Sequence, residues 1–99
     1  MEKKKAHYSL QSIKNLISEG QYFITRTARV DYINLGLDDD EVIEIIMSLI
    51  NQDLYKSMTS YNNNKVWQDV YYKNIDNLEL YIKLQITSEA IVISFKERT

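Results

Sequence analysis

At 99 residues and 11.7 kDa the chain has room for one hydrophobic core, and at 44% hydrophobic and 26% charged residues it has an ordinary globular composition. It contains no cysteine and one histidine, which removes disulfides, thiolate nucleophiles, zinc–thiolate clusters and paired-histidine acid–base catalysis. A formal net charge of −2 argues against coating nucleic acid through bulk charge but leaves room for a small cationic site.

The charged N-terminal Met1-Glu2-Lys3-Lys4-Lys5 lacks the apolar stretch of a secretory signal, and no apolar run approaches the roughly 20 residues of a bilayer span. A cytoplasmic protein with a single domain over residues 1–99 is expected. The Lys3-Lys4-Lys5 run reads as a solvated terminus, and His7 beside it as incidental. Ser9 caps a first helix with Leu10, Ile13, Leu16 and Ile17 on one stripe, and Gly20 stops it. Gln21-Tyr22-Phe23-Ile24 is a short extended piece. Thr25 caps a second helix toward Gly36 with Ala28, Tyr32 and Leu35 on one face. Asp38 opens a third, where Glu41 completes a capping box and Val42, Ile43, Ile46, Met47 and Ile50 carry the apolar stripe. The acidic run Asp38-Asp39-Asp40-Glu41 therefore reads as capping rather than as a metal cluster.

From Asp53 onward the period changes to two. Leu80, Ile82, Leu84 and Ile86 face one way and Tyr81, Lys83 and Gln85 the other. Ile91, Ile93 and Phe95 oppose Val92, Ser94 and Lys96, with a turn at Ser88-Glu89 that places Tyr81 and Lys96 on one side of a hairpin. Two earlier strands, around Leu54–Thr59 and Val66–Tyr71, are separated by an Asn62-Asn63-Asn64 turn. The fold expected is α+β, three helices packed on one face of a mostly antiparallel sheet of about four to six strands.

Lys56, Gln68, Tyr81 and Lys96 are polar residues inside these β-favouring runs. Gathered on one face they suit a phosphodiester. A metal-free ribonuclease deprotonates a ribose 2′-hydroxyl, offsets charge on the phosphoryl oxygens and protonates the leaving 5′-oxygen. Lysine ammonium groups serve the second task. Tyrosine, or a lysine whose pKa is depressed by a neighbour such as Lys56 beside Lys96, serves the proton transfers. Gln68 has a donor and an acceptor and does not titrate, so it suits orientation. Tyr55, Trp67 and Tyr71 are candidate stacking surfaces for bases. Lysine and tyrosine are also common on the wet face of an antiparallel sheet without any function, and aromatic residues are more often core or rim.

At these residues the chain resembles the MqsR family of bacterial type II toxins. The resemblance runs through Met1-Glu2-Lys3 with His7, Gly20-Gln21 with Thr25-Arg26, Leu35-Gly36-Leu37-Asp38, Asp53-Leu54-Tyr55-Lys56-Ser57-Met58-Thr59, Trp67-Gln68-Asp69-Val70-Tyr71, Tyr81 with Lys83, and Ser94-Phe95-Lys96-Glu97. It implies a RelE-like fold and a ribosome-independent endoribonuclease that cleaves mRNA at short GC-containing sites without a cofactor. It also implies inhibition by an MqsA-like antitoxin, through which operator DNA is reached indirectly, and no membrane partner. The family's catalytic set falls on Lys56, Gln68, Tyr81 and Lys96, and Tyr55 and Met58 match neighbouring positions that seat RNA. No metal ligand is implied. The Asn62-Asn63-Asn64-Lys65 turn, the loop from Tyr72 to Asn77 and Ser88 depart from the family pattern, at rim positions where cleavage preference commonly resides. Two rival readings are a binding module or co-repressor acting only through antitoxin and DNA, and a ribosome-dependent RelE-like nuclease.

Overall fold

The computed structural model describes residues 1–98. In chain order these form β1 (Glu2–Lys3), α1 (Leu10–Ser18), β2 (Tyr22–Ile24), α2 (Arg26–Asn34), α3 (Asp39–Met47), a 3₁₀ turn (Asn51–Asp53), β3 (Leu54–Thr59), β4 (Trp67–Ile75), β5 (Leu78–Ile86) and β6 (Ala90–Glu97). The six strands make one sheet in the order β1-β3-β4-β5-β6-β2. All neighbours are antiparallel except β2 and β6, which run parallel. This is the α+β arrangement expected from the sequence, consistent with a RelE-like toxin fold.

Each helix begins where a side chain replaces a missing backbone partner. Ser9 accepts from the Ser12 N–H, Thr25 from Ala28, and Asp38 and Glu41 exchange both bonds of a capping box. The first two helices also share an ending. Gly20 and Gly36 adopt φ of 76° and 84°, and the residue after each donates back five positions, Gln21 to Leu16 and Leu37 to Tyr32. That pattern satisfies the last carbonyls and needs the left-handed conformation glycine tolerates best. The third helix stops at Met47, short of the Ile50 expected from its stripe. Ser48 Oγ donates to the Ile45 carbonyl, and the Asp53 carboxylate accepts the Ile50 N–H, so local side chains divert the backbone toward β3.

The helices cover one face of the sheet. Leu10, Ile13 and Ile17 of α1, Ala28 and Tyr32 of α2, and Val42, Ile45 and Ile46 of α3 pack with Tyr71, Leu80, Ile82, Leu84, Val92 and Phe95 in a continuous core. Alternation along β4 and β5 then sends the intervening residues to the opposite, uncovered face. In β6 a register shift opposite Lys83 and Leu84 breaks the alternation, so Val92 and Phe95 both face the core while Ile91, Ser94 and Lys96 face outward, rather than Ile91, Ile93 and Phe95 sharing one side.

β1 is a departure from the sequence reading. The N-terminus is an edge strand, with Glu2 opposite Met58 and Lys3 opposite Ser57, rather than a solvated tail. Two charged residues carry no alternation to betray a strand; long-range bonds fix this one. The Met1 ammonium group donates to Thr59 Oγ1, and the buried Asp69 carboxylate accepts the N–H groups of His7 and Tyr8 at 3.0 and 2.9 Å. His7 is therefore not incidental: its ring also stacks on Trp67 with centroids 5.4 Å apart.

Candidate active site

The site is legible as three cross-strand rows on the uncovered face. In the middle row Lys56 of β3 lies opposite Val70 of β4, Val70 opposite Lys83 of β5, and Lys83 opposite Ser94 of β6. On one side Tyr72, Tyr81 and Lys96 form the next row. A register shift between Leu54 and Lys56 carries Tyr55 onto this face as well, where its ring stacks on Tyr72 with centroids 4.2 Å apart. On the other side Met58 lies opposite Gln68, whose Nε2 donates to Gln85 Oε1 at 2.9 Å. All six site residues expected from the sequence, Lys56, Gln68, Tyr81, Lys96, Tyr55 and Met58, thus face the same way.

They are not equivalent in environment. The Lys96 ammonium group lies 5.1 Å from the Tyr81 ring centroid and the Lys83 ammonium group 5.9 Å from it. Tyr72, Tyr81, Lys96, Glu97 and Arg98 line a cleft of about 320 Å³, and Arg98 sits over the Tyr72 ring. Gln68 is different: only 8% of its surface is exposed and its amide N–H is held by Gln85. It sits two rows from Tyr81, so it touches the cluster's far side.

Electrostatics separate the groups further. Burial pushes the Tyr81 phenol above its ordinary pKa, against an opposing pull from Lys56, so the phenol keeps its proton at neutral pH. The Glu2 carboxylate hydrogen-bonds Lys56 at 2.6 Å and holds its ammonium form above the ordinary lysine value. Lys83 is the lysine pushed down: burial lowers it, and Lys96 and then Lys56 add to the effect, whereas Lys56, one of the pair first considered, is raised. Lys83 was visible in the alternation Tyr81-Lys83-Gln85, but nothing in sequence distinguishes a half-buried lysine from a solvated one.

Two of the expected stacking surfaces are also displaced. Tyr71 is fully buried on the helix side, because odd positions of β4 point into the core. Trp67 is covered by His7, and Lys3 lies 4.2 Å from its ring centroid. The aromatic residue sequence reasoning missed is Tyr72, one step beyond Tyr71 and on the open face. A hollow on the opposite side, lined by Leu37, Glu41, Glu44, Ile45, Ile75 and Asp76 among others, presents carboxylates and repels a phosphodiester.

The family profile described as "Motility quorum-sensing regulator, toxin of MqsA" matches residues 5–97. The chain belongs to the MqsR toxin family. The chain is also 38% identical over 98 residues to the mRNA interferase toxin MqsR of Escherichia coli (strain K12), an alignment covering 99% of this chain and 100% of that protein. The MqsR resemblance read from Lys56, Gln68, Tyr81 and Lys96 therefore extends along essentially the whole sequence, N-terminal strand and helices included. Among the described residues no helix is long and apolar enough to cross a membrane.

Proposed function

We propose that the chain is the toxin of a type II toxin–antitoxin pair and an endoribonuclease that cuts mRNA without metal or ribosome. The observation that carries this reading is the gathering of three lysines and a protonated tyrosine on one uncovered sheet face in a member of a family that includes an mRNA interferase. The net charge of −2 does not oppose it, because α3 begins with Asp39, Asp40 and Glu41 on the far layer while the cations collect on the sheet. A phosphodiester laid between the middle row and the row of Tyr81 meets Lys56 on one side and Lys96 on the other, whose fixed charges offset the negative charge of the phosphorane. Tyr81 donates a proton to the leaving 5′-oxygen. Gln68, held from behind by Gln85, orients the nucleotide next to the scissile bond, and Met58 and the Tyr55–Tyr72 stack seat the flanking RNA.

Internal attack by the 2′-hydroxyl gives a 2′,3′-cyclic phosphate and a 5′-hydroxyl, with short GC-containing sites preferred. An MqsA-like antitoxin inhibits the toxin and links it to operator DNA. The test is incubation of purified protein with a defined mRNA in chelator, without ribosomes, followed by primer extension. Discrete cuts that disappear in Tyr81→Phe are expected. An intact transcript from a folded, antitoxin-binding chain overturns the ribosome-independent reading and points to a ribosome-dependent nuclease or to a binding module.

A further inference from the structure

Lys83 occupies the centre of the three rows. It shares the middle row with Lys56 and stands next to the row of Tyr81 and Lys96 on one side and that of Gln68 and Gln85 on the other. Its direct cross-strand neighbours, Val70 and Ser94, carry no charge. Lys56, Lys73, Arg29 and Arg98 each hold a carboxylate, whereas Lys83 makes no ion pair or hydrogen bond among the described residues. A half-buried amine with no acceptor, ringed by the groups that handle the phosphate, has one open direction, outward to the substrate.

We propose that Lys83 is the catalytic base that takes the 2′-hydroxyl proton, an assignment that rests on the endoribonuclease reading above. The neutral Lys83 amine accepts the proton from the 2′-hydroxyl as the 2′-oxygen forms its bond to phosphorus. The bond from phosphorus to the 5′-oxygen breaks, its electron pair stays with that oxygen, and Tyr81 supplies the proton. Lys83 leaves the step as an ammonium group and Tyr81 as a phenolate; exchange with water restores both. No oxidant, metal or second substrate enters the balance.

The surroundings favour the neutral amine. The charged or titratable groups on the face of Lys83 are Lys56 and Tyr55 on β3 with Glu2 on β1, Tyr72 on β4, Tyr81 on its own strand, and Lys96 on β6. Burial pushes the Lys83 ammonium group down, and Lys96 and Lys56 push the same way. Glu2 is already engaged by Lys56 and does not compensate. A base lowered toward working pH transfers protons most effectively, and loss of such a base costs about 10²–10⁴-fold.

Charge and basicity are separated by three variants assayed on naked RNA. Lys83→Arg keeps the cation and cannot act as a base at neutral pH. Under this assignment Lys83→Arg and Lys83→Met both lose about 10²–10⁴-fold in kcat. The native rate is expected to rise with pH as Lys83 loses its proton, and that rise to disappear in both variants. Lys83→Ala regains rate in proportion to the free-base concentration of added ethylamine, a response that only a folded site with a missing base gives. Lys83→Arg retaining rate to within about ten-fold, or Lys83→Ala indifferent to amine, overturns the assignment while leaving the nuclease intact. A native chain that leaves naked RNA uncut overturns the parent reading, and this one with it.

Discussion

The Glu2 carboxylate reaches across the sheet edge to the Lys56 ammonium group, 2.6 Å away, so the N-terminal strand places an anion on a cation assigned to the phosphate. Each partner shifts the other in the direction the bond requires: Glu2 is lowered chiefly by Lys56, and Lys56 is raised chiefly by Glu2. The pair is therefore intact at neutral pH and is lost as pH falls through the lowered Glu2 value or rises through the raised Lys56 value. RNA must displace this carboxylate from Lys56. Glu2→Gln is expected to lower KM for RNA about two- to five-fold at low salt, the scale of a solvated ion pair, with the gain fading as salt screens both competitors. Steady-state cleavage at two ionic strengths measures this; an unchanged or raised KM would show that Glu2 helps Lys56 engage RNA.

Lys56 itself should behave in the opposite sense. Lys56→Ala removes a fixed cation from the developing phosphorane charge and is expected to lower kcat by about 10²–10³. Because Lys56 also holds Glu2, the double variant with Glu2→Gln separates the two effects. Its rate should match Lys56→Ala alone. A double variant faster than the single one would trace the loss to an unpaired Glu2 carboxylate rather than to the missing cation.

Tyr81 is assigned to the leaving group, which gives a test that depends on the substrate. Burial keeps the phenol protonated at neutral pH. Tyr81→Phe should reduce cleavage of ordinary RNA by about 10²–10⁴-fold. The deficit should shrink sharply on a nucleoside 3′-(p-nitrophenyl) phosphate, whose leaving group needs no proton. Equal deficits on both substrates would remove Tyr81 from the acid role.

The parts of this architecture that sequence disclosed are those governed by local rules. Ser9, Thr25 and Asp38 cap helices where their spacing to the next apolar stripe requires, and the alternation in β5 assigns Tyr81 and Lys83 to one face and Leu80 and Ile82 to the other. What sequence concealed depends on distant partners. β1 exists because Thr59 and Asp69 hold it, residues nearly sixty or more positions away. The parity of β4, which buries Tyr71 and presents Tyr72, follows from its register with β5 rather than from its own composition, since both neighbours are tyrosine. The different surroundings of Lys56 and Lys83 likewise come from Glu2 on one and burial on the other. Neither cause is adjacent in sequence.

Asp69 is the anchor of the N-terminal segment. Its carboxylate is fully buried and accepts two backbone N–H bonds, while Tyr8 donates its hydroxyl to the Trp67 carbonyl at 2.7 Å. Asp69→Ala leaves both donors without that acceptor and should cost about 1.5–3 kcal/mol of stability, the range for a hydrogen bond to a charged group. Because β1 then loses its restraint, exchange of the His7 and Tyr8 amide hydrogens should rise well before the β4–β5 amides respond. Urea unfolding with hydrogen exchange checks both. A cost below about 0.5 kcal/mol with unchanged protection would mean that β1 is held by its pairing to β3 alone.

Tyr71 supplies a stability test independent of function. Its hydroxyl is buried and makes no hydrogen bond among the described residues, and burial, aided by the charges of Asp69 and Asp53, pushes its pKa up to about 12. The unfolded chain releases the same proton near the ordinary phenol value of about 10. Between those values the folded chain binds more protons than the unfolded one, so stability present at lower pH declines as pH rises from about 10 through about 12. Tyr71→Phe keeps the ring in the core and deletes the unpaired oxygen. Stability at pH 7 is expected to stay level or rise by up to about 1 kcal/mol, since an unsatisfied buried hydroxyl carries a desolvation penalty. Between pH 10 and 12 the variant should lose less stability than the native chain does. Urea midpoints at neutral and alkaline pH decide it: a variant weakened by more than about 1 kcal/mol at pH 7 would mean the hydroxyl has an acceptor in solution, such as an ordered water.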